Sequence, residues 1–399
     1  MNGKSSRAML QYNKTWIDNL EIQKHSAKWL KKNLITKDEH EVVIKNYPTE
    51  YHESNFIIRC GIFIFSLIVI FSATGLISLF TMRENAVAIQ GLLYGIVSAL
   101  AAMHFIRTKN YFRSGVIDAL IYFSVFSFSI GICILISREN FEFNLDPIVY
   151  FMAMLPFATF IAIRFADAFV ALLVYALLFG INALLVLKLG STGKMILPFD
   201  AILVSYAFYQ VIDSRKNIES YKYWHKVIAT LRAASLVTFY LSGNYFVVRE
   251  LSEELLDITL APGQDISLSW FFYAWTIVVP ILFIIYGLKQ KDHLPVRIGI
   301  LMEVTGILCI RHYYSVMPLE SALIFGGIFL IVLARLSMHY LREPRNGITY
   351  LGDTEDDDEL VTAVGTTVVS HVAGKSIHQE EQSKFGGGQS GGGGAGGSF

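Results

Sequence analysis

Long apolar stretches alternate with short polar ones from residue 56 to residue 341. A bilayer core of about 30 Å is crossed by a helix of roughly 20 mostly apolar residues. We therefore predict an all-α, polytopic transmembrane helix bundle of about ten spans. The predicted spans are 57–81, 86–106, 115–136, 147–163, 166–187, 195–212, 227–248, 267–288, 295–313 and 320–341.

Prolines and one short connection make the predicted bundle irregular. Pro156, Pro198 and Pro280 lie inside spans, where each removes a backbone donor and kinks its helix. The fourth and fifth predicted spans are joined only by Arg164, Phe165 and their neighbours, which predicts a tight turn.

Residues 1–55 are polar and predict a small helical head before the first span. Apolar residues recur at helical spacing over 17–34, on a stretch rich in lysine. Thr36 followed by Glu39 is a capping box, so a second helix should begin there, and Pro48 should end it. Two arrangements fit this pattern. The head is either a lid packed on the bundle or a basic amphipathic face resting on anionic lipid.

Residues 342–399 form a polar tail after the domain of spans, 56–341. Pro344 ends the last predicted helix, and an uninterrupted acidic run follows from Glu355 to Glu359. The final stretch, FGGGQSGGGGAGGSF, is too rich in glycine to bury an apolar core. The sequence therefore predicts a disordered C-terminal tail.

Lysine and arginine are divided unevenly between the two sides of the predicted spans. Eleven fall in connections on the side of the head, and six fall on the opposite side. Short cytoplasmic loops carry an excess of these residues. We therefore predict a multi-pass protein of the cell (inner) membrane with both termini in the cytoplasm, in agreement with an even number of spans.

The composition of the chain argues against several classes of function. Hydrophobic residues make up 53% of the chain and charged residues 17%, against about 25% charged in soluble proteins. The formal net charge is zero, so no overall field favours nucleic acid. The cysteines, Cys60, Cys133 and Cys309, are far apart and have no zinc-ligand spacing. With no HExxH or GxxxxGK[ST] motif, we predict no catalytic residue, cofactor or metal site, and the lipid bilayer as the protein's surroundings.

Glu303 is the most unusual charge, because it lies near the middle of the ninth predicted span. A carboxylate at that depth must be protonated, paired or facing a hydrated cavity. Three interpretations stay open: a hydrogen-bonded structural glutamate, an ion pair with Arg232 or Arg335, and a proton or substrate site.

Five more polar residues inside spans are candidates for an intramembrane site. Asp118 and Arg232 should lie about one turn from the cytoplasmic face, and Asp200 should lie near the outer face. Arg335 and His339 approach the cytoplasmic face in the tenth predicted span. Long basic side chains can reach the interface from such positions, which weakens a functional role for either arginine.

The junction WLKKNLITKDEHEVVIKNYP, just before the first span, resembles the start of an uncharacterised bacterial family of predicted membrane proteins that carry a domain of unknown function. The resemblance rests on a tryptophan, a short turn and an acidic helix ending in tyrosine: Trp29, Leu34, Ile35, Thr36, Glu39, Glu41 and Tyr47. It implies a cytoplasmic helical head followed by many spans, and it transfers no active site.

Two function hypotheses follow. The head and tail favour a non-enzymatic membrane component, an assembly scaffold that binds protein partners through them. Glu303 and the proline-containing spans favour a secondary transporter of a small solute, proton-coupled through Glu303. The sequence offers little for an intramembrane enzyme.

Overall fold

The computed structural model describes residues 10–51, 56–80, 86–137, 146–256 and 265–313, and single helical positions at 321, 324, 327, 328, 331, 332, 335 and 339. Within these ranges the chain is all-α, as predicted. The helices are α1 (Lys14–Lys31), α2 (Lys37–Asn46), α3 (Phe56–Phe80), α4 (Ala86–Lys109), α5 (Gly115–Ser137), α6 (Pro147–Phe165), α7 (Ala168–Leu187), α8 (Ser191–Asp213), α9 (His225–Gly243), α10 (Tyr245–Leu256), α11 (Ser269–Gln290) and α12 (His293–Tyr313), with a 3₁₀ helix at Glu219–Trp224.

Seven of the described helices are long and apolar enough to cross a membrane: α3 to α8 and α11. The protein is therefore a membrane protein by length and composition, with several spans. α9 and α12 are of similar length but carry more polar side chains, so the predicted number of ten is not confirmed. Most of the predicted span 320–341, and the whole tail 342–399, lie outside the described residues.

The predicted seventh span, 227–248, is wrong as a single helix. α9 ends at Gly243, and α10 begins after Asn244, whose backbone is extended (φ −68°, ψ 129°). The Asn244 side chain accepts a hydrogen bond from the Val247 N–H (3.3 Å). Asparagine competes with helix by bonding nearby backbone in this way, so it ends one helix and caps the next. Apolar periodicity runs through such a break and does not reveal it.

α4 and α5 pack at backbone contact. A Cβ atom on Gly131 would lie 2.5 Å from the Leu92 nitrogen and 2.8 Å from the Ala88 oxygen, closer than real Cβ contacts. A Cβ on Gly91 would lie 2.7 Å from the Gly131 Cα. The Ser127 hydroxyl donates to the Gly91 carbonyl at 3.1 Å. Small residues that let backbones approach, with hydroxyls bonding across, hold helices together in lipid.

Gly131→Ala is expected to destabilise the protein by about 1–3 kcal/mol, because the added methyl group must push backbone apart. Gly75→Ala on α3 is the matched control, since a Cβ there has nothing within 4 Å. It should be neutral or raise stability by up to about 1 kcal/mol, through helix propensity. Melting temperatures of the two variants in detergent check this. Equal melting temperatures would contradict the backbone contact.

The head packs on the bundle through its first described residues. Leu10, Gln11 and Tyr12 are all buried. The Gln11 N–H donates to the Arg164 carbonyl (2.9 Å), and its side-chain amide donates to the Met103 carbonyl (3.2 Å). This segment therefore joins the α6–α7 turn to the end of α4, which agrees with a packed lid.

The helical hairpin of the head follows the sequence prediction. The Glu39 N–H donates to the Thr36 hydroxyl (3.3 Å), and the Thr36 N–H donates to the Glu39 carboxylate (2.8 Å), which completes the capping box. The Thr36 hydroxyl also donates to the Glu39 carboxylate (3.0 Å). The hydrogen bonds that the Thr36 backbone and hydroxyl donate hold the pKa of Glu39 below its usual value.

The head also defines one end of the bundle, here called the head end. Asp18 of α1 accepts hydrogen bonds from Lys222 (2.9 Å) and from the Tyr223 hydroxyl (3.0 Å) in the α8–α9 connection. With the Gln11 contacts, this places the α6–α7 turn and the α8–α9 connection at the same end. The α7–α8 connection and α10 are consequently at the opposite end.

Candidate functional site

A cavity of about 360 Å³ lies between α7, α8, α9 and α10. Asn182 of its wall is fifteen residues beyond Asp167, the N-cap of α7 at the head end, which corresponds to about 22 Å along the helix. The cavity is therefore near the opposite end of the bundle. Ten of the sixteen residues that line it are apolar, and the polar ones are Asn182, Lys194, Asp200, Thr238, Ser242 and Ser252.

Two irregular helices make room for this cavity. Pro198 lies inside α8 and on the cavity wall, and it removes the N–H that would bond the Lys194 carbonyl. The break at Asn244 ends α9 and starts α10, and both helices contribute to the wall. Straight, uninterrupted helices pack along their length, so interruption at this level favours a pocket.

Two charged side chains of α8 face the cavity, each with a neutral partner. The Asp200 carboxylate accepts a hydrogen bond from the Asn182 amide at 2.5 Å. The Lys194 ammonium donates to the Leu255 carbonyl of α10 at 2.5 Å. The Ser242 hydroxyl donates to the Thr238 carbonyl of its own helix (2.7 Å). The arrangement is a mostly apolar pocket with a few polar groups, the usual character of small-molecule sites.

The opposite face of the α9–α10 break packs on α11 and forms a polar interior. Asn244 and Tyr240 are fully buried. The Asn244 amide donates to the Tyr240 hydroxyl (2.9 Å), and the Tyr245 N–H donates to the Thr276 hydroxyl (2.9 Å). A Cβ on Gly243 would meet the Trp275 ring at 2.5 Å, so only glycine allows this close approach. Side chains thus supply several of the hydrogen bonds at the break.

Glu303 of α12 lies one turn from this polar interior. A Cβ on Gly306, one turn further along α12, would lie 3.1 Å from the Tyr240 hydroxyl. Within the described part of the chain, the buried Glu303 Oε2 atom has no hydrogen-bond partner. The α9–α10 break therefore has the cavity on one face, and on the other it approaches the helix that carries Glu303, whose Oε2 atom has no hydrogen-bond partner among the described residues.

Arg232 takes part in a different cluster, at the head end. Its Nε atom lies 2.7 Å from Asp213 Oδ1 in an ion pair whose angle is not that of a hydrogen bond. Its Nη2 atom donates a hydrogen bond to Asp292. Lys216 lies 3.1 Å from each of the same two carboxylates. Two cations and two anions thus tie α8 and α9 to the α11–α12 turn. Arg232 thus pairs with Asp213 and Asp292 and not with Glu303, which removes one form of the ion-pair interpretation of Glu303.

The cluster shifts the ionisation of its members outside the spans. Burial raises the pKa of Asp292, but hydrogen bonds from Arg232 and Lys216 outweigh it and hold the pKa below the usual 3.8. Burial lowers the pKa of Lys216, but hydrogen bonds to Asp292 and Asp213 raise it above the usual 10.5. Both groups are consequently charged in the folded protein at neutral pH.

Three of the predicted site residues, Asp118, Arg335 and His339, do not line the cavity. Asp118 is buried in the first turn of α5 and pairs with Arg59 of α3 at 2.7 Å, at the head end. The structure places Arg335 and His339 at exposed helical positions. Of the predicted site residues, Asp200 therefore lines the cavity and Glu303 lies across the break from it.

Sequence reasoning missed the partners of these charges. It weighed Arg232 only against Glu303, although Asp213 and Asp292 flank predicted spans on the same side of the bundle. The sequence signal for Asp213 and Asp292 as partners of Arg232 is an acidic residue at the end of one span, at the same depth as a basic residue inside another span. Asn182 gives no comparable signal, since an amide inside an apolar helix has many possible partners.

Among the described residues, no group of three or more histidine, cysteine, aspartate or glutamate side chains could hold a metal ion. No family model matches the chain, and neither a curated protein nor a solved structure matches it. The resemblance carried by Trp29 to Pro48 therefore stays a prediction.

Proposed function

We propose that this protein is a secondary transporter that takes a small solute into the cavity between α7 and α10 and couples its movement to protonation of Glu303. The observation that carries the proposal is the broken helix α9–α10. Thr238 and Ser242 on one of its faces line the cavity, while Tyr240 on the other face approaches α12 at Gly306, one turn beyond Glu303. Transporters commonly build solute and ion sites from discontinuous helices.

The break supplies a physical route for coupling. α9 ends at Gly243, and Asn244 has an extended backbone. The chain can therefore change direction there while α9 and α10 remain helical. Protonation of Glu303 removes a charge one turn along α12 from the contact of Gly306 with Tyr240, which is hydrogen-bonded to Asn244. A solute in the cavity contacts the same helix from its other side. Both events bias one two-state element, which is what coupling between two sites requires.

Accessibility of the cavity tests the transport proposal. In a cysteine-free background, Ser242→Cys on the cavity wall should react with a membrane-impermeant maleimide from both sides of the membrane, because a transporter opens its site alternately. Ser214→Cys, in the exposed turn after α8, is the matched control and should react from one side only. Reaction of Ser242→Cys from a single side under all conditions would contradict transport.

The same control supports or contradicts our proposed orientation, with the head in the cytoplasm of a cell (inner) membrane. The excess of lysine and arginine on the head side supports this orientation. Ser214→Cys should then be labelled in inside-out vesicles and protected in intact cells.

The head supplies one observation in favour of the second function, an assembly scaffold that binds protein partners. It exposes large apolar side chains although it packs on the bundle: Trp29, Leu34, Val42, Ile44 and Tyr47. Exposed apolar groups of this kind mark contact surfaces. Deletion of residues 342–399 should abolish the activity of a scaffold that also uses its tail, and should leave transport intact.

A further inference from the structure

The cavity carries two charges of opposite sign that do not neutralise each other. Asp200 and Lys194 both line it. Among the described residues, no ion pair within 4 Å joins them to each other or to any other side chain; their partners are the neutral Asn182 amide and the Leu255 carbonyl. Arg232 and Asp118, by contrast, both have charged partners.

Both side chains are half-buried, and a charge on a mostly apolar wall is stabilised by a bound group of opposite charge. A hydrogen bond from a neutral amide leaves the full negative charge of Asp200 in place, and a carbonyl leaves the positive charge of Lys194 in place. Along α8 the two residues are six positions apart, which corresponds to about 9 Å of axial separation. A ligand that satisfies both must carry an ammonium and an anionic group on one small frame.

We propose that the cavity binds a small zwitterion with an apolar body, its protonated amine at Asp200 and its anionic group at Lys194. The proposal rests on the proposed function for its transport role, but not for the binding itself. The apolar lining, which includes Phe179, Leu241 and Leu251, receives the body of the ligand. A volume of about 360 Å³ is at the lower end for small-molecule sites, so the ligand is small.

Two sources share this chemistry, an apolar α-amino acid and the ethanolamine-phosphate headgroup of a short-chain lipid. L-Phenylalanine and hexylphosphoethanolamine are the two probes, and binding is measured by calorimetry on the full-length protein in nanodiscs. We expect at least one of them to bind. Phenethylamine and 3-phenylpropionate each lack one charge of phenylalanine. If phenylalanine binds, each of these analogues should bind the wild type about ten-fold or more weakly than phenylalanine does. If only hexylphosphoethanolamine binds, hexyl phosphate, which lacks the ethanolamine ammonium, takes their place.

Variants that each remove one charge from the cavity identify which end of the ligand each residue binds. Asp200→Asn should lower the affinity for the bound zwitterion about ten-fold or more, and should leave the affinity for the analogue without an ammonium unchanged. Lys194→Met should lower the affinity for the zwitterion and leave that for phenethylamine unchanged. Lys188→Met, a lysine outside the cavity at the end of α7, should change neither. Ala201→Phe fills the cavity without a change of charge and should abolish binding.

Absence of binding by both zwitterions at millimolar concentration would overturn the proposal. It would also be overturned if the wild type bound the singly charged analogues as tightly as the zwitterion, or if Asp200→Asn and Lys194→Met behaved like Lys188→Met. These measurements are made at equilibrium and involve no flux. Binding without alternating access of Ser242→Cys would remove the transport function and keep the ligand class, and the reverse result would remove only the ligand class.

Discussion

Arg232→Met is expected to lower the free energy of unfolding by about 3–5 kcal/mol. The side chain is only 8% exposed and contacts Asp213 and Asp292, which are 17% and 14% exposed. Without Arg232, Lys216 alone is left to compensate these two partly buried carboxylates. Breaking a buried ion cluster leaves an uncompensated charge, which costs more than the intact cluster contributes. The melting temperature in detergent measures the loss.

Lys188→Met is the matched control for this effect. Lys188 also forms an ion pair, with Asp146, but its side chain is 55% exposed. An exposed pair contributes about 0–1 kcal/mol, so this variant should melt within a few degrees of the wild type. A loss of stability in Arg232→Met as small as that in Lys188→Met would show that the head-end cluster is solvated.

The cluster also predicts the pH range of stability. The depressed pKa of Asp292 contributes stability that is fully present above 3.8 and is lost as the pH falls through the lower, folded-state value. The raised pKa of Lys216 contributes stability that is fully present below 10.5 and is lost as the pH rises through the higher, folded-state value. Melting temperatures across the pH range should therefore fall at both extremes, and this dependence should be weaker in Arg232→Met.

Glu303→Gln is expected to abolish proton-coupled transport while it leaves stability within about 1 kcal/mol of the wild type, or raises it. Glutamine has the same shape but cannot exchange a proton. Since the buried Oε2 atom has no hydrogen-bond partner among the described residues, little native bonding is lost with it. A group kept for function at some cost to stability behaves in this way.

Melting temperatures of purified protein across a pH series separate this role from a structural one. Wild-type stability should depend on pH more than that of Glu303→Gln. Glu219→Gln, an exposed glutamate in the 3₁₀ helix, is the control and should follow the wild type. A drop of several degrees in Glu303→Gln at neutral pH would instead identify a structural carboxylate.

Much of the fold could be predicted from the sequence, because a bilayer imposes one length and one polarity on every span. The capping box at Thr36 and Glu39 and the tight turn after Arg164 were predicted from local chemistry and are confirmed. The packing of Gln11 against Arg164 could not be predicted, since contacts between segments distant in sequence leave no periodic pattern.

The candidate site was predictable only in part. Glu303 and Asp200 could be singled out, because charges inside spans are rare and costly. The break at Asn244 was missed, because its cause is one asparagine. Its side chain caps α10 and donates a hydrogen bond to Tyr240, four residues earlier in the chain. The cavity depends on that break and on Pro198 together, and only the three-dimensional arrangement places both on one wall.

Solute-driven proton movement tests the central claim most directly. Wild type and Glu303→Gln are reconstituted into liposomes that contain a pH-sensitive dye, and a zwitterion shown to bind the purified protein is added outside. If transport is coupled to protonation of Glu303, we expect a change of internal pH with the wild type, none with Glu303→Gln, and the wild-type response with Glu219→Gln. No pH change with the wild type, or the same change with Glu303→Gln, would contradict it.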